Sequence, residues 1–446
     1  MAIPRGDAVA LARALIKIDS RNPTLAPDSP GEGDCARFLA SVLDDWGFSV
    51  DVLEAIPYRP NVIARLGPAD APVLMFNGHL DVVGIEGMAH EPFSAELRGD
   101  RIYGRGSADM KGGVAAMCAA AIHGAGTECE RQILIAAVAD EEYESLGMRE
   151  VISAGIRAEA AIITEPTRLA ICPAHRGFVW MDIEFKGRAA HGSRYDIGID
   201  AITHAGLVLA ELDKLERTRE SDGVRHPLLG RGSLHASKIR GGVGMSTYPE
   251  ECALAVERRT LPGESEQTAL QEVTDACDAV RANHPQLNSR VTLSTAQLPS
   301  DVPVDSSVVK RLRAALEAER IGVKIEGLSA WTDAALLNAV GVPTICFGPG
   351  DIALAHAAEE FVPVEEIEVA TRVLTRVVTD WCYNARSWGG SDGRMESQAV
   401  RPPRARDHER KAHRGISPRN RVRSSANRTP HDQRSRSGRR DASHYG

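Results

Sequence analysis

His79 and Asp81 lie two positions apart in the stretch "MFNGHLDVVG", where an apolar run ends. On a strand that spacing puts both side chains on one face, so the carboxylate can accept the far N–H of the imidazole and orient it for a metal ion. Taken alone, a His-x-Asp at a strand end is more often the start of a solvated loop. Three further strand ends carry acids, however. "GRGSADMKGG" sets Asp109 after a glycine-rich turn, "AVADEEYESLG" presents Glu141 beside Glu142, and "IITEPT" carries Glu165. His356, in "ALAHAAEEFVP", follows the glycine loop "GPGD" and completes the set. So many acids in one crevice would repel one another unless cations lay among them, because a buried unpaired carboxylate is costly. Histidine with carboxylates and no thiolates suits zinc or another divalent ion.

The elements that must hold these residues alternate in a βαβ rhythm. "ARALIKI" and "CARFLASVLDDWGF" read as helices, and "NVIARLG" and "VLMFNGHLDVV" as strands. An Ala-rich helix over residues 114 to 124, the strand "QILIAAVAD", a helix near "SLGMREVISAG" and the strand "AAIITEP" follow. The expected fold class is α/β, a mixed, largely parallel sheet with helices on both faces, and ligands bind at the carboxyl edge of such sheets. Near Arg176 the pattern changes. "FVWMDIEFKG" alternates like a half-exposed strand, and the strands and two helices after it form a smaller α+β unit with antiparallel pairing. From "SVVKRLRAALEAE" onward the first pattern resumes. The expected divisions are 1–176 and 299–386 for a split catalytic domain, 177–298 for an inserted unit, and 387–446 for an Arg-rich tail.

At 446 residues the chain is long enough for two cores. No stretch approaches the length of an apolar membrane span, and the first residues lack an apolar signal core, so a cytoplasmic protein is expected. The eight cysteines never form a CxxC pair and read as small core residues rather than as a disulfide framework. The tail has no hydrophobic period and is expected to be disordered. It has no aromatic interleaving or recognition motif, which argues against nucleic-acid binding despite its charge. Gly104 and Gly106 lack a third glycine at dinucleotide spacing, and neither GK[ST] nor GxSxG occurs, so nucleotide and serine-hydrolase chemistry have no motif here.

In order, "GHLD", "GRGSADMKGG", "ADEEYESLG", "TEP", "AAHGSRYDIGIDAI", "ERRTLPGE" and "AHAAEEFVPV" resemble the co-catalytic zinc aminoacylase and carboxypeptidase family. Acetylornithine deacetylases and succinyl-diaminopimelate desuccinylases are the nearest likeness, which extends over about residues 5 to 385. The resemblance implies a zinc peptidase-like fold whose inserted unit is a lid and dimerisation domain. It implies that Asp109 bridges two zinc ions, with cobalt or manganese as possible substitutes, that His79 and Glu165 complete one site, and that Glu142 and His356 complete the other. Asp81 would then orient His79 and Glu141 would be the general base. His191 would donate to the oxyanion in the partner subunit of a homodimer, and Arg259 would grip the substrate carboxylate. Alternation along the strand puts its neighbour Arg258 on the opposite face. Ser246 stands where the family commonly has a substrate-contacting Asn, and Asp200 likewise replaces an Asn. In the resembled family Glu at the Glu165 position goes with deacylases and Asp with peptidases. The implied reaction is therefore hydrolysis of a small N-acyl-L-amino acid, with a dipeptidase or carboxypeptidase as the alternative and a metal-poor binding protein as a further one.

Overall fold

The computed structural model of the chain describes residues 2–126 and 128–383. The Arg-rich segment 387–446 lies outside them. Four strands stand side by side in parallel at the centre of one large sheet, in the order Gln132–Val138, Val73–His79, Ala160–Ile163 and Thr344–Cys346. Parallel neighbours need crossovers, and helices Gly112–Gly124 and Leu146–Ser153 supply two of them. Antiparallel strands flank this centre. Asn61–Leu66 and Ser49–Leu53 lie on one side, and Ile171–His175 lies on the other with Ser300–Asp301 and Ile325–Leu328 paired to it.

Both faces of the sheet are covered, which is why the central strands read as continuous apolar runs. Leu74, Phe76, Ile133 and Ile135 belong to the core under helices Ala8–Ile16, Gly33–Trp46, Gly112–Gly124, Ser307–Ala318 and Val364–Tyr383. Met75, Leu134 and Ala136 point the other way, toward Met148, Val151 and Leu337. The small residues of Gly112–Gly124 let that helix lie close on the sheet. A Cβ on Gly113 would stand 1.9 Å from the Thr164 carbonyl oxygen, so only glycine allows the Asp109 turn to approach the end of strand Ala160–Ile163.

The inserted unit is a four-stranded antiparallel sheet, ordered Ser233–Gly241, Glu251–Thr260, Gly177–Lys186 and Asn288–Gln297. Helices Ala201–Asp222 and Glu266–Asn283 cover one face, and Val179, Met181, Ile183 and Phe185 pack with Val208, Val273 and Cys277 in a separate core. The Asp200 carboxylate accepts from Thr203 N at 2.9 Å as the cap of the first helix, a task that Asp and Asn perform equally. The two chain segments that join the unit to the large sheet run alongside each other, with His175 paired to Ser300 and Phe178 to Gln297. Gly177 sits between them, where a Cβ would be 2.4 Å from the Gln297 carbonyl oxygen and 2.5 Å from Thr260 Oγ1.

Three features depart from the sequence reading. The helix expected through Phe48 stops at Trp46, because Gly47 adopts the left-handed conformation, and the short strand Ser49–Leu53 follows. Strand Val73–His79 ends at His79, so Asp81 lies beyond the ladder rather than on it. Cys129 and Cys382 form a disulfide, which corrects the assignment of all eight cysteines to isolated core positions. Their separation of 253 residues leaves no local spacing by which the pair could be recognised. The other six cysteines are buried free thiols. The bridge ties the end of helix Val364–Tyr383 to the loop before strand Gln132–Val138. Cys129→Ser is expected to lower the unfolding free energy by about 2–5 kcal/mol in urea titrations. A reductant should bring the wild type to the same stability and leave the variant unmoved; a wild type indifferent to reductant would mean that the sulfurs are not joined in solution.

Candidate metal centre and active site

The carboxyl ends of the four parallel strands deliver His79, Glu141 with Glu142, Glu165 and, after a ten-residue approach, His356 to one edge. The turn Ser107–Lys111 brings Asp109 into the middle of them. Its two oxygens face opposite ways. Oδ1 lies 3.0 Å from His79 Nε2 and Oδ2 lies 3.5 Å from His356 Nε2. Glu142 stands 3.0 Å from the same His356 nitrogen. His79, Asp109 and Glu165 form one group whose ligand atoms lie within 4.8 Å of one another, and Asp109, Glu142 and His356 form a second. Two clusters sharing one carboxylate are the donor arrangement expected for a pair of divalent ions, so the residues fit the implied metal.

Asp81 is used differently from the expected orienting carboxylate. His79 Nδ1 lies 2.8 Å from the Asp81 backbone carbonyl, while the carboxylate stands 3.7 Å away. That carboxylate instead accepts from the backbone N–H of Glu141 at 3.1 Å and of Glu142 at 3.2 Å, and from Asn22 Nδ2 at 2.9 Å. Asp81 thus fixes both the imidazole and the Glu141–Glu142 turn. Below it lies a buried network that no motif pointed to. Arg59 bonds both oxygens of Glu32, at 2.7 and 2.6 Å, and reaches Asp140 at 2.7 Å. Asp140 holds a positive φ of 65° and accepts from the N–H of Glu144 at 3.2 Å, which sets the sharp bend after the strand. On the other side Glu360 accepts from the N–H of Ala108 and Asp109 at 3.0 and 3.2 Å and pairs with Arg105 at 2.6 Å. Arg105 and Glu360 both lie inside segments singled out for their neighbours, but nothing local marks them as partners.

The electrostatics follow from the crowding. Burial raises Glu141 and Glu165 well above the ordinary carboxylate range, and neighbouring acids add to it; burial and the Asp109 charge also raise Glu142. Burial pushes Asp109 up as well, yet the hydrogen bonds of His356 and His79 outweigh it and hold it below the usual range. His356 is pushed up to about 10 by its bonds with Asp109 and Glu142. Burial pulls His79 down, but the hydrogen bond and charge of Asp109 leave it well above its ordinary value. Glu141 Oε1 is sealed from solvent without a hydrogen-bond partner among the described residues.

Asp109, Glu141, Glu142, Glu165 and His356 line a cleft of about 360 Å³ that also takes in Arg259. Arg258, on the other face of the strand, is buried and pairs with Glu264 at 2.5 Å and Glu272 at 3.2 Å. The cleft does not include His191 or Ser246. These lie together on the inserted unit, where Gly192 N–H donates to the Ser246 carbonyl at 2.7 Å, and both are exposed.

The family model of peptidase family M20/M25/M40 matches residues 75–380. The chain is 29% identical over 331 residues to an acetylornithine deacetylase of Myxococcus xanthus, covering 73% of this chain and 84% of that one. It is 26% identical to the N-formyl-4-amino-5-aminomethyl-2-methylpyrimidine deformylase of Bacillus subtilis, covering 84% and 95%. Among solved structures, the Bacillus subtilis YXEP protein, a dinuclear metal-binding peptidase, superposes with a TM-score of 0.64 at 16% identity over 84% of this chain and 97% of that one.

These shifts fix how metal removal should behave with pH. A group whose folded pKa is raised lends stability that is complete below its unfolded pKa and is lost as pH climbs through the folded one. His79, His356, Glu141, Glu142 and Glu165 all lie on that side. Asp109, being lowered, contributes its share already above the ordinary Asp range. Chelator-treated protein should therefore lose thermal stability steadily from about pH 5 to pH 9, whereas metal-replete protein should hold its Tm, since ions replace the protons. Melting curves that stay parallel across this range would contradict the assignment.

Proposed function

Since the chain belongs to peptidase family M20/M25/M40 and is a metal-dependent amidohydrolase, we propose that it hydrolyses the amide bond of an N-acyl-L-amino acid, releasing a carboxylate and a free amino acid. The observation that carries this reading is the Asp109 carboxylate turned between two ligand clusters, with the unpartnered Glu141 oxygen beside it and the Arg259 guanidinium across the same cleft. Two zinc ions suit the histidine and carboxylate donors. When bound, such ions polarise a carbonyl and lower the pKa of water toward about 7.

The remaining roles fall to this chain's own side chains. Glu141 takes the proton of the attacking water and delivers it to the departing amine. Asp81, by accepting from the N–H groups of residues 141 and 142, keeps that carboxylate and its ligand neighbour in fixed relation. The Arg259 Nε pairs with Glu257, and its two Nη groups make no hydrogen bond among the described residues, which leaves a fork free for the substrate carboxylate. His191 and Ser246 do not line their own chain's cleft, and His191 Nε2 has no partner among the described residues. In a homodimer His191 donates to the developing oxyanion of the second copy's site, with Ser246 contacting the substrate beside it.

Glu141→Ala should cut kcat by about 10²–10⁴-fold with metal content unchanged. Loss of metal together with activity would make Glu141 a ligand instead of the base. Side-by-side panels of N-acetyl amino acids and dipeptides test the reaction class; turnover confined to dipeptides would replace deacylation with peptidase activity. Mixing the inactive Glu141→Ala and His191→Ala proteins tests the shared site. Random pairing gives half mixed dimers, each with one complete site, so about a quarter of wild-type activity should return. A mixture that stays inactive would place His191 in its own subunit's chemistry, and a His191→Ala protein that is itself active would place it outside the reaction.

A further inference from the structure

Aromatic residues make up 4% of the sequence, yet Tyr143, Phe178, Trp180 and Trp331 all line the cleft that holds Asp109, Glu141 and Arg259. Phe178 is the hub. Its ring centroid lies 4.9 Å from that of Trp180 in a tilted arrangement and 6.3 Å from that of Trp331 edge to face. Both indole N–H groups are already spent on the protein, Trp331 on the Leu298 carbonyl at 2.9 Å and Trp180 on Glu257 at 3.1 Å. Their rings therefore offer hydrocarbon to the cleft and ask nothing polar of an occupant.

The wall is tied to the carboxylate grip by strand register. Arg259 is paired directly with Phe178, and Glu257 with Trp180, across neighbouring strands of the inserted unit. The guanidinium carbon lies 5.4 Å from the Phe178 ring centroid. A substrate whose carboxylate is held by Arg259 must place its α-carbon next to these rings, so its side chain meets them. Among the described residues that line the cleft no carboxylate is left to receive an ammonium group, and Asp333, two residues from Trp331, is buried outside that lining. Every acid lining the cleft is a ligand candidate or Glu141, and Glu257 is occupied by Arg259 and Trp180. We propose that the substrates are N-acyl amino acids with an aromatic or large apolar side chain, and that Trp180 and Trp331 set this preference. The inference rests on the deacylase reading above.

The test is a panel of N-acetyl-L-phenylalanine, N-acetylglycine and N-acetyl-L-ornithine with the metal-replete enzyme. The phenylalanine derivative should exceed the ornithine derivative in kcat/KM by about 10–200-fold, the range an apolar pocket can supply. Trp331→Ala and, separately, the more exposed Trp180→Ala should each shrink the phenylalanine-to-glycine ratio several-fold, while Trp331→Phe keeps most of it. N-acetyl-L-ornithine turned over as well as or better than the phenylalanine derivative would overturn the inference and leave deacylation standing, as would ratios unmoved in both alanine variants. Turnover of dipeptides alone would overturn the deacylase reading instead, and the preference would then be judged by Gly-Phe against Gly-Orn.

Discussion

One carboxylate turned between two histidines is the constraint around which this molecule is arranged. Asp109 can face His79 with one oxygen and His356 with the other only because its turn is pressed against the edge of the sheet. Helix Gly112–Gly124 must lie close enough for Gly113 to touch the Thr164 carbonyl, and the N–H of Asp109 must be held from behind by Glu360. The crowded acids nearby make sense only with positive charge among them. Burial raises Glu141, Glu142 and Glu165 alike, and the charge of neighbouring carboxylates, Asp109 among them for Glu142 and Glu165, raises them further.

Holding the site costs the chain a second layer of buried charge. Arg59 spans Glu32 and Asp140, and Arg105 pairs with Glu360, all within the interior. Removing one member of such a pair leaves its partner buried and uncompensated, typically a loss of about 3–5 kcal/mol. These pairs serve placement. The Asp140 network fixes the bend that presents Glu141 and Glu142, and Glu360 fixes the turn that presents Asp109. Asp81 belongs to both layers, since its backbone carbonyl meets His79 and its carboxylate meets the next turn.

Much of this was legible in the sequence because the positions of the candidate ligands are set by strand ends, and apolar strands of a covered sheet announce themselves. His79, Glu142 and Glu165 each follow such a run, and the Ala-rich helix read at residues 114 to 124 falls within helix Gly112–Gly124. Pairings at long range were not legible. Nothing in "YRPN" says that Arg59 meets Glu32 and Asp140, and nothing near Cys129 says that Cys382 is its partner. Strands of three residues, such as Glu96–Arg98 and Phe361–Pro363, are too short to carry a period. The use of Asp81 was missed for a geometric reason: the ladder ends at His79, and beyond it the alternation of faces no longer governs where a side chain goes.

The paired crossing at Gly177 has a mechanical meaning. Two hydrogen-bonded segments resist splaying but yield to torsion, so the inserted unit is hung on a ribbon that can twist more easily than it can bend. Phe178 and Arg259 sit beside this axis, and His191 and Ser246 sit far out along the unit. A small rotation would leave Arg259 almost where it is and sweep His191 through a long arc, so that under the roles proposed for them substrate capture and completion of the reacting site would be separated along a single lever.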